Sequence, residues 1–149
     1  MRAIVQRVSR ANVTVEGEIV GEIGVGFLIL LGVSKEDSNA DADYILSKVV
    51  SLRVFDDSEG KMSLSLADTG GEMLVVSQFT LYGDTRRGNR PSFVRAAGGD
   101  SALALYEYFV EKARHSVATV KTGTFGAMMD VELLNDGPVT IILDSEKTI

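Results

Sequence analysis

The side chains that most often carry chemistry are scarce in this chain. Its 149 residues include one histidine and no cysteine. Without cysteine there are no disulfides, no thiolate metal sites and no sulfur nucleophile. A catalytic triad needs a base beside its nucleophile. The lone His115 falls behind Lys112 and Arg114 at the end of a helical pattern, where a cation suits the helix C-terminus. No Gly-x-Ser-x-Gly elbow and no Walker loop occur. The run GEIGVG at 21–26 resembles a dinucleotide loop only superficially, because strand follows it rather than helix. The acidic pair Asp56/Asp57 lies in a turn, where solvated carboxylates are expected. With one His and no Cys, a tight transition-metal site is not expected. An enzyme built this way has to use backbone groups and the substrate's own groups. Preorganised N–H donors stabilise an oxyanion, and losing one costs about 10²–10³ in rate.

Two segments are placed to present backbone in this way. Ser77-Gln78-Phe79-Thr80 breaks the apolar run EMLVV at a strand end, where polar residues line a site or simply meet solvent. Asn135-Asp136-Gly137-Pro138 reads as a hairpin turn to which Pro138 adds a constraint. X-Pro bonds are where cis peptides occur, and a cis Gly-Pro redirects both neighbouring carbonyls.

Charge is distributed unevenly. The chain carries −6 overall, which argues against a general nucleic-acid binder. Yet residues 85–99 contain no acid and hold Arg86, Arg87, Arg90 and Arg95, four of the nine arginines. That stretch reads as a solvated loop or as a local anion-binding one.

The elements that must position these residues follow from periodicity. Residues 2–9 alternate as a strand. Residues 12–15 and 19–23 flank Glu16-Gly17-Glu18 as a hairpin. Residues 27–33 and 73–79 are apolar runs expected to be strands buried on both faces. Ala42, Ile45, Leu46, Val49 and Val50 form one stripe of a helix over 39–51. A short strand at 52–55, a turn at 56–61 and a long Gly- and Arg-rich loop at 82–99 follow. Such a loop inside a compact domain tends to be functional or disordered. Asp100-Ser101 is expected to cap a second helix, and 117–121, 128–134 and 139–143 to form three closing strands. No run reaches the ~20 apolar residues of a membrane span. The sum is one α+β domain over residues 1–149, with mostly antiparallel or mixed sheets in a barrel-like arrangement and two helices.

At SQFTL (77–81) and NDGPVT (135–140) the sequence resembles the D-aminoacyl-tRNA deacylase family. MRAIVQRVSRANVTVEGEIVGEIGVGFLILLGV and YGDTRRGNRPSF are similar to that family as well, so the likeness runs nearly the whole length. It implies a cytoplasmic homodimeric ester hydrolase that releases D-amino acids from tRNA, and glycine too. No cofactor, metal or membrane is implied. Gly137 and Pro138, in a cis peptide, would hold the substrate amino group in the partner subunit's site and reject L side chains. Arg7 matches the position that orients them. Ser77, Gln78, Phe79 and Thr80 match the catalytic segment, with the Phe79 N–H as oxyanion donor and the tRNA 2′-hydroxyl as helper. Thr80 ranks as site-lining, with nucleophile as the minority reading. Met129 is placed against the terminal adenosine or in the core, and Arg86 and Arg87 against tRNA phosphates. Three readings compete: a binder of RNA 3′ ends without chemistry, an esterase acting through a Thr80 acyl-enzyme, and a structural dimer.

Overall fold

The computed structural model describes all 149 residues. Its longest elements are two strands, β1 (Arg2–Val15) and β8 (Asp130–Asp144), which run antiparallel along each other. β2 (Glu18–Ile23) turns back on β1, and β3 (Gly26–Gly32) pairs with the first half of β1. β6 (Glu72–Ser77) and β7 (Val120–Thr122) then add in parallel, giving the order β2-β1-β3-β6-β7 with β8 on β1. The sheet curls until β2 meets β7: a Cβ added at Gly21 would sit 2.3 Å from the Thr122 carbonyl oxygen. The result is the expected mixed, nearly closed, barrel-like sheet.

Each apolar strand serves two cores. Phe27, Ile29, Leu31, Met73 and Val75 face α1 (Asn39–Ser51) and α3 (Gly99–Ser116) in the larger cluster. The alternate residues Leu28, Leu74 and Val76 fill the barrel interior with Val8, Ala11 and Val13. This two-sided burial is why β3 and β6 read as continuous apolar runs rather than alternating ones. α1 matches its predicted bounds. The Asp41 carboxylate accepts the Ser38 N–H at 2.9 Å, which satisfies one of the free donors at its start.

Several expectations are corrected. Residues 2–9 and 12–15 are one strand, because the exposed Ser9-Arg10 pair marks a point where β1 passes from β3 to β2 rather than a break. Residues 128–134 and 139–143 likewise belong to a single strand, with NDGP inside it and no hairpin turn. The strand expected at 52–55 shrinks to β4 (Phe55–Asp56), paired with β5 (Met62–Leu64). The first closing strand, expected at 117–121, is shorter and later, Val120–Thr122. A third helix, α2 (Leu66–Thr69), is present. Its Ser65-x-x-Asp68 capping box stood in the sequence, but one helical turn shows no periodicity. β6 ends at Ser77, and Phe79–Tyr82 winds into a 3₁₀ turn. α3 starts at Gly99 with Gly98 as N-cap, so Asp100 lies in its first turn instead of capping it. His115 stands in the last turn of α3, exposed, as its spacing suggested.

Candidate functional site

The 3₁₀ turn at the end of β6 forms one wall of a pocket of about 660 Å³. Ser77, Gln78, Phe79 and Thr80 line that wall. Gly126 to Met129 lie opposite, and Tyr106 of α3 contributes to the floor. The turn is held from behind. Arg2 Nη1 donates to the Leu81 carbonyl at 3.1 Å, and the buried Tyr82 ring lies between the Arg2 and Arg95 guanidiniums at 4.8 and 5.5 Å. Burial, with Asp37 and Asp144 nearby, pushes the Tyr82 hydroxyl well above its ordinary pKa, so it stays neutral.

The pocket is mostly apolar, and its chemistry is sparse. Tyr106 is the one titratable group among its lining residues. Burial pushes its hydroxyl up to about 12, and that hydroxyl donates to the Val75 carbonyl at 2.8 Å, away from any proton-transfer role. Thr80 Oγ1 accepts a hydrogen bond from Gln78 Nε2, which leaves the threonine hydroxyl proton free to donate into the pocket. No histidine or carboxylate reaches it. A threonine nucleophile needs a base, and here none is supplied. What the wall does offer is backbone. The first N–H groups of a helical turn have no partner within it, and Phe79 and Thr80 open this one. Met129 lines the pocket and also packs against the barrel interior. Met128, which sequence reasoning passed over, is 92 % exposed at the rim.

Arg7, Gly137 and Pro138 form a second constellation and do not line this pocket. β1 and β8 are in register at Gln6–Thr140 and again at Val8–Asn135. Residues 136–139 therefore bulge out opposite the single residue Arg7. The Gly137–Pro138 peptide within the bulge is cis. Arg7 takes the inward parity of Ala3 and Val5 and is 7 % exposed. Its Nε donates to the Asp136 carbonyl at 2.9 Å and its Nη1 to the Val54 carbonyl at 2.6 Å. The Asp56 and Asp136 carboxylates stand at 3.8 and 3.6 Å and balance the buried charge. One side chain thus fixes the bulge to the loop before β4. Replacing Arg7 by Met removes both donors, at about 1–3 kcal/mol for each stranded carbonyl. At roughly 2–4 °C per kcal/mol in a domain of this size, the melting temperature should fall by about 5–15 °C. Arg7→Lys should recover only part, having no planar fork. A melt within about 2 °C of the parent would remove Arg7 as the anchor.

The arginines of 82–99 divide. Arg86 makes a fork to the Asp84 carboxylate at 2.9 and 2.6 Å, and Arg95 donates through Nη2 alone to both Glu146 carboxylate oxygens at 2.9 and 2.7 Å. Arg87 and Arg90 have no ion pair or hydrogen-bonding partner and are exposed.

The model of the D-Tyr-tRNA(Tyr) deacylase family matches residues 4–144. The chain belongs to that family. Relatives named D-aminoacyl-tRNA deacylase include one from Symbiobacterium thermophilum, 61 % identical over 99 % of this chain and 98 % of its own length. Another, from Thermosipho melanesiensis, is 58 % identical over 99 % of both chains. Among solved structures, one described as a c-Myc DNA unwinding element binding protein is 45 % identical. It superposes with a TM-score of 0.92 over 97 % of this chain and 98 % of that one. Full-length coverage at this identity places the deacylase-family fold over the whole chain, pocket and bulge included.

Proposed function

We propose that this chain hydrolyses the ester that joins a D-amino acid to the 3′ end of tRNA, releasing free amino acid and tRNA. Membership of a deacylase family supports the hydrolase class, and the names of its relatives support D-aminoacyl-tRNA as substrate. The observation that carries the mechanism is a pocket that ends on unpartnered backbone donors and holds no side-chain base. In this reading the Phe79 N–H stabilises the oxyanion that forms at the ester carbonyl. Ser77 and Gln78 shape the wall, and the 2′-hydroxyl of the terminal adenosine helps to handle the proton. Met129 packs against that adenosine.

Gly137 and Pro138 act as the stereochemical gate. Their carbonyls hold the substrate's amino group, and an L side chain runs into their backbone. Rejection then falls on the wrong isomer rather than rewarding the right one. Glycine has nothing to reject, so glycyl-tRNA is a substrate too. The gate acts in the pocket of a second copy, so the working unit is a homodimer. The outer edge of β8 supports this: the strand runs fifteen residues and pairs with β1 on one side only, with Leu134 and Ile142 51 % and 53 % exposed. An edge that long and that apolar calls for cover. The reaction is placed in the cytoplasm with its tRNA substrate; no helix is long and apolar enough to cross a membrane.

The test is release of amino acid from tRNA charged with D-Tyr, L-Tyr or Gly, side by side at low enzyme concentration. Loss of D-Tyr and Gly with L-Tyr spared is the expected result. Equal loss of both isomers would discard the gate. Binding without turnover would leave an RNA-end binder. Thr80 has its own test. Thr80→Val should lower kcat by about tenfold, the worth of one hydrogen bond, and Thr80→Ser should restore most of it. A covalent adduct on Thr80 with a slow substrate would make it the nucleophile instead.

A further inference from the structure

The segment from Asp84 to Ser92 is a closed arm rather than a slack loop. Asp84 N–H donates to the Ser92 carbonyl at 2.8 Å and Ser92 N–H to the Asp84 carbonyl at 2.9 Å. Its base abuts the pocket: the Phe93 ring meets Phe79 edge-on at 5.1 Å, and Phe79 lines the pocket wall. Its tip carries three arginines, all exposed. One is already occupied. The Asp84 carboxylate accepts the Arg86 backbone N–H at 3.0 Å as well as its guanidinium fork. That fork holds the Asp84 carboxyl well below the usual carboxylate range, so the pair stays ionised. The arm's remaining free charge belongs to Arg87 and Arg90, on a chain whose net charge is −6.

The geometry points to a phosphate-binding arm in which Arg87 and Arg90 grip the backbone of the tRNA acceptor end, while Asp84 withholds Arg86. This rests on the tRNA reading above and sharpens it, since Arg86 and Arg87 look equivalent in the sequence. Charge complementarity selects the partner. An acidic protein repels a polyanion everywhere except where free cations project, and the arm projects two beside the pocket mouth. The Phe79–Phe93 contact joins the arm's base to the wall that receives the ester, so gripping the phosphates also sets the depth of the 3′ end.

Counterion release makes this measurable without turnover. Each phosphate contact contributes about 0.7–0.9 to the slope of log K against log salt. The probe is uncharged tRNA, with binding followed by fluorescence anisotropy from about 50 to 200 mM salt. Arg87→Ala and Arg90→Ala should each weaken binding several-fold at the low-salt end and flatten the slope by about one contact. Arg114→Ala removes the same charge from the far end of α3 and should leave the slope as it was. Asp84→Asn keeps an acceptor for the Arg86 N–H but releases its guanidinium. It should steepen the slope by about one contact, and adding Arg86→Ala should take that gain away. Parental slopes in both Arg87→Ala and Arg90→Ala would overturn the arm, and a parental slope in Asp84→Asn would overturn the withheld arginine. Failure to hydrolyse charged tRNA while these slopes behave as stated would sink the deacylase reading and leave the arm in place.

Discussion

Gly137→Ala is expected to cut kcat/KM for D-aminoacyl-tRNA by at least about 100-fold, the scale on which a misplacement of about 1 Å at a reacting site costs rate. The reason lies in the bulge. A Cβ at Gly137 would stand 2.2 Å from the Val139 backbone nitrogen. No side-chain rotation relieves a clash between a methyl group and backbone, so residues 137–139 must move. Arg7 holds Asp136 in place on one side, and the β1 register resumes at Thr140 on the other. The displacement is therefore confined to the Gly-Pro unit itself. Asp136, Gly137 and Pro138 are exposed on a sheet edge and only Val139 of the bulge reaches the core, so the melting temperature should fall by only about 2–8 °C, equivalent to about 1–2 kcal/mol. Activity and stability thus separate. The ratio of D to L turnover should fall along with the rate. Parental kcat/KM in this variant would show that Gly137 does not touch the substrate.

Gly26→Ala is expected to abolish the fold instead. Gly26 opens the parallel register of β3 with β6, opposite Glu72. A Cβ there would lie 1.8 Å from the Glu72 carbonyl oxygen and 2.6 Å from its nitrogen. These are backbone atoms of the neighbouring strand, so relief requires parting the start of two strands that serve both cores. Losses above about 4–5 kcal/mol are exceptional for single changes and approach the whole stability of a domain. No cooperative melt and little soluble protein are the expected readout. A folded variant melting within about 5 °C of the parent would show that β3 and β6 part more easily than this contact implies. Two glycines of the 21–26 run thus serve strand packing, Gly26 against Glu72 and Gly21 against Thr122.

Much of the molecule was written in local pattern. The two-faced apolar runs at 27–33 and 73–79 identified the central strands, because burial on both sides leaves no polar alternation. The stripe from Ala42 to Val50 identified α1, because a helix with one buried face imposes its own period. The lack of cysteine and the single His115 turned attention from sulfur and histidine chemistry to backbone groups, with a Thr80 nucleophile left as the minority reading. The two motifs at 77–81 and 135–140 identified the family.

Other features depend on which residues meet across the fold. Ser9-Arg10 looks like an end of strand and is the middle of one, because β1 changes partners there. Asn-Asp-Gly-Pro looks like a hairpin turn, since those residue types favour turns, and becomes a bulge because Arg7 faces it from a strand more than a hundred residues away in sequence. Arg95 looks as free as Arg87 until Glu146 arrives from the end of the chain. In each case the deciding hydrogen bond or ion pair joins residues far apart in sequence. Composition and periodicity report whether a residue is buried and in what kind of element; only the closed sheet chooses its partner.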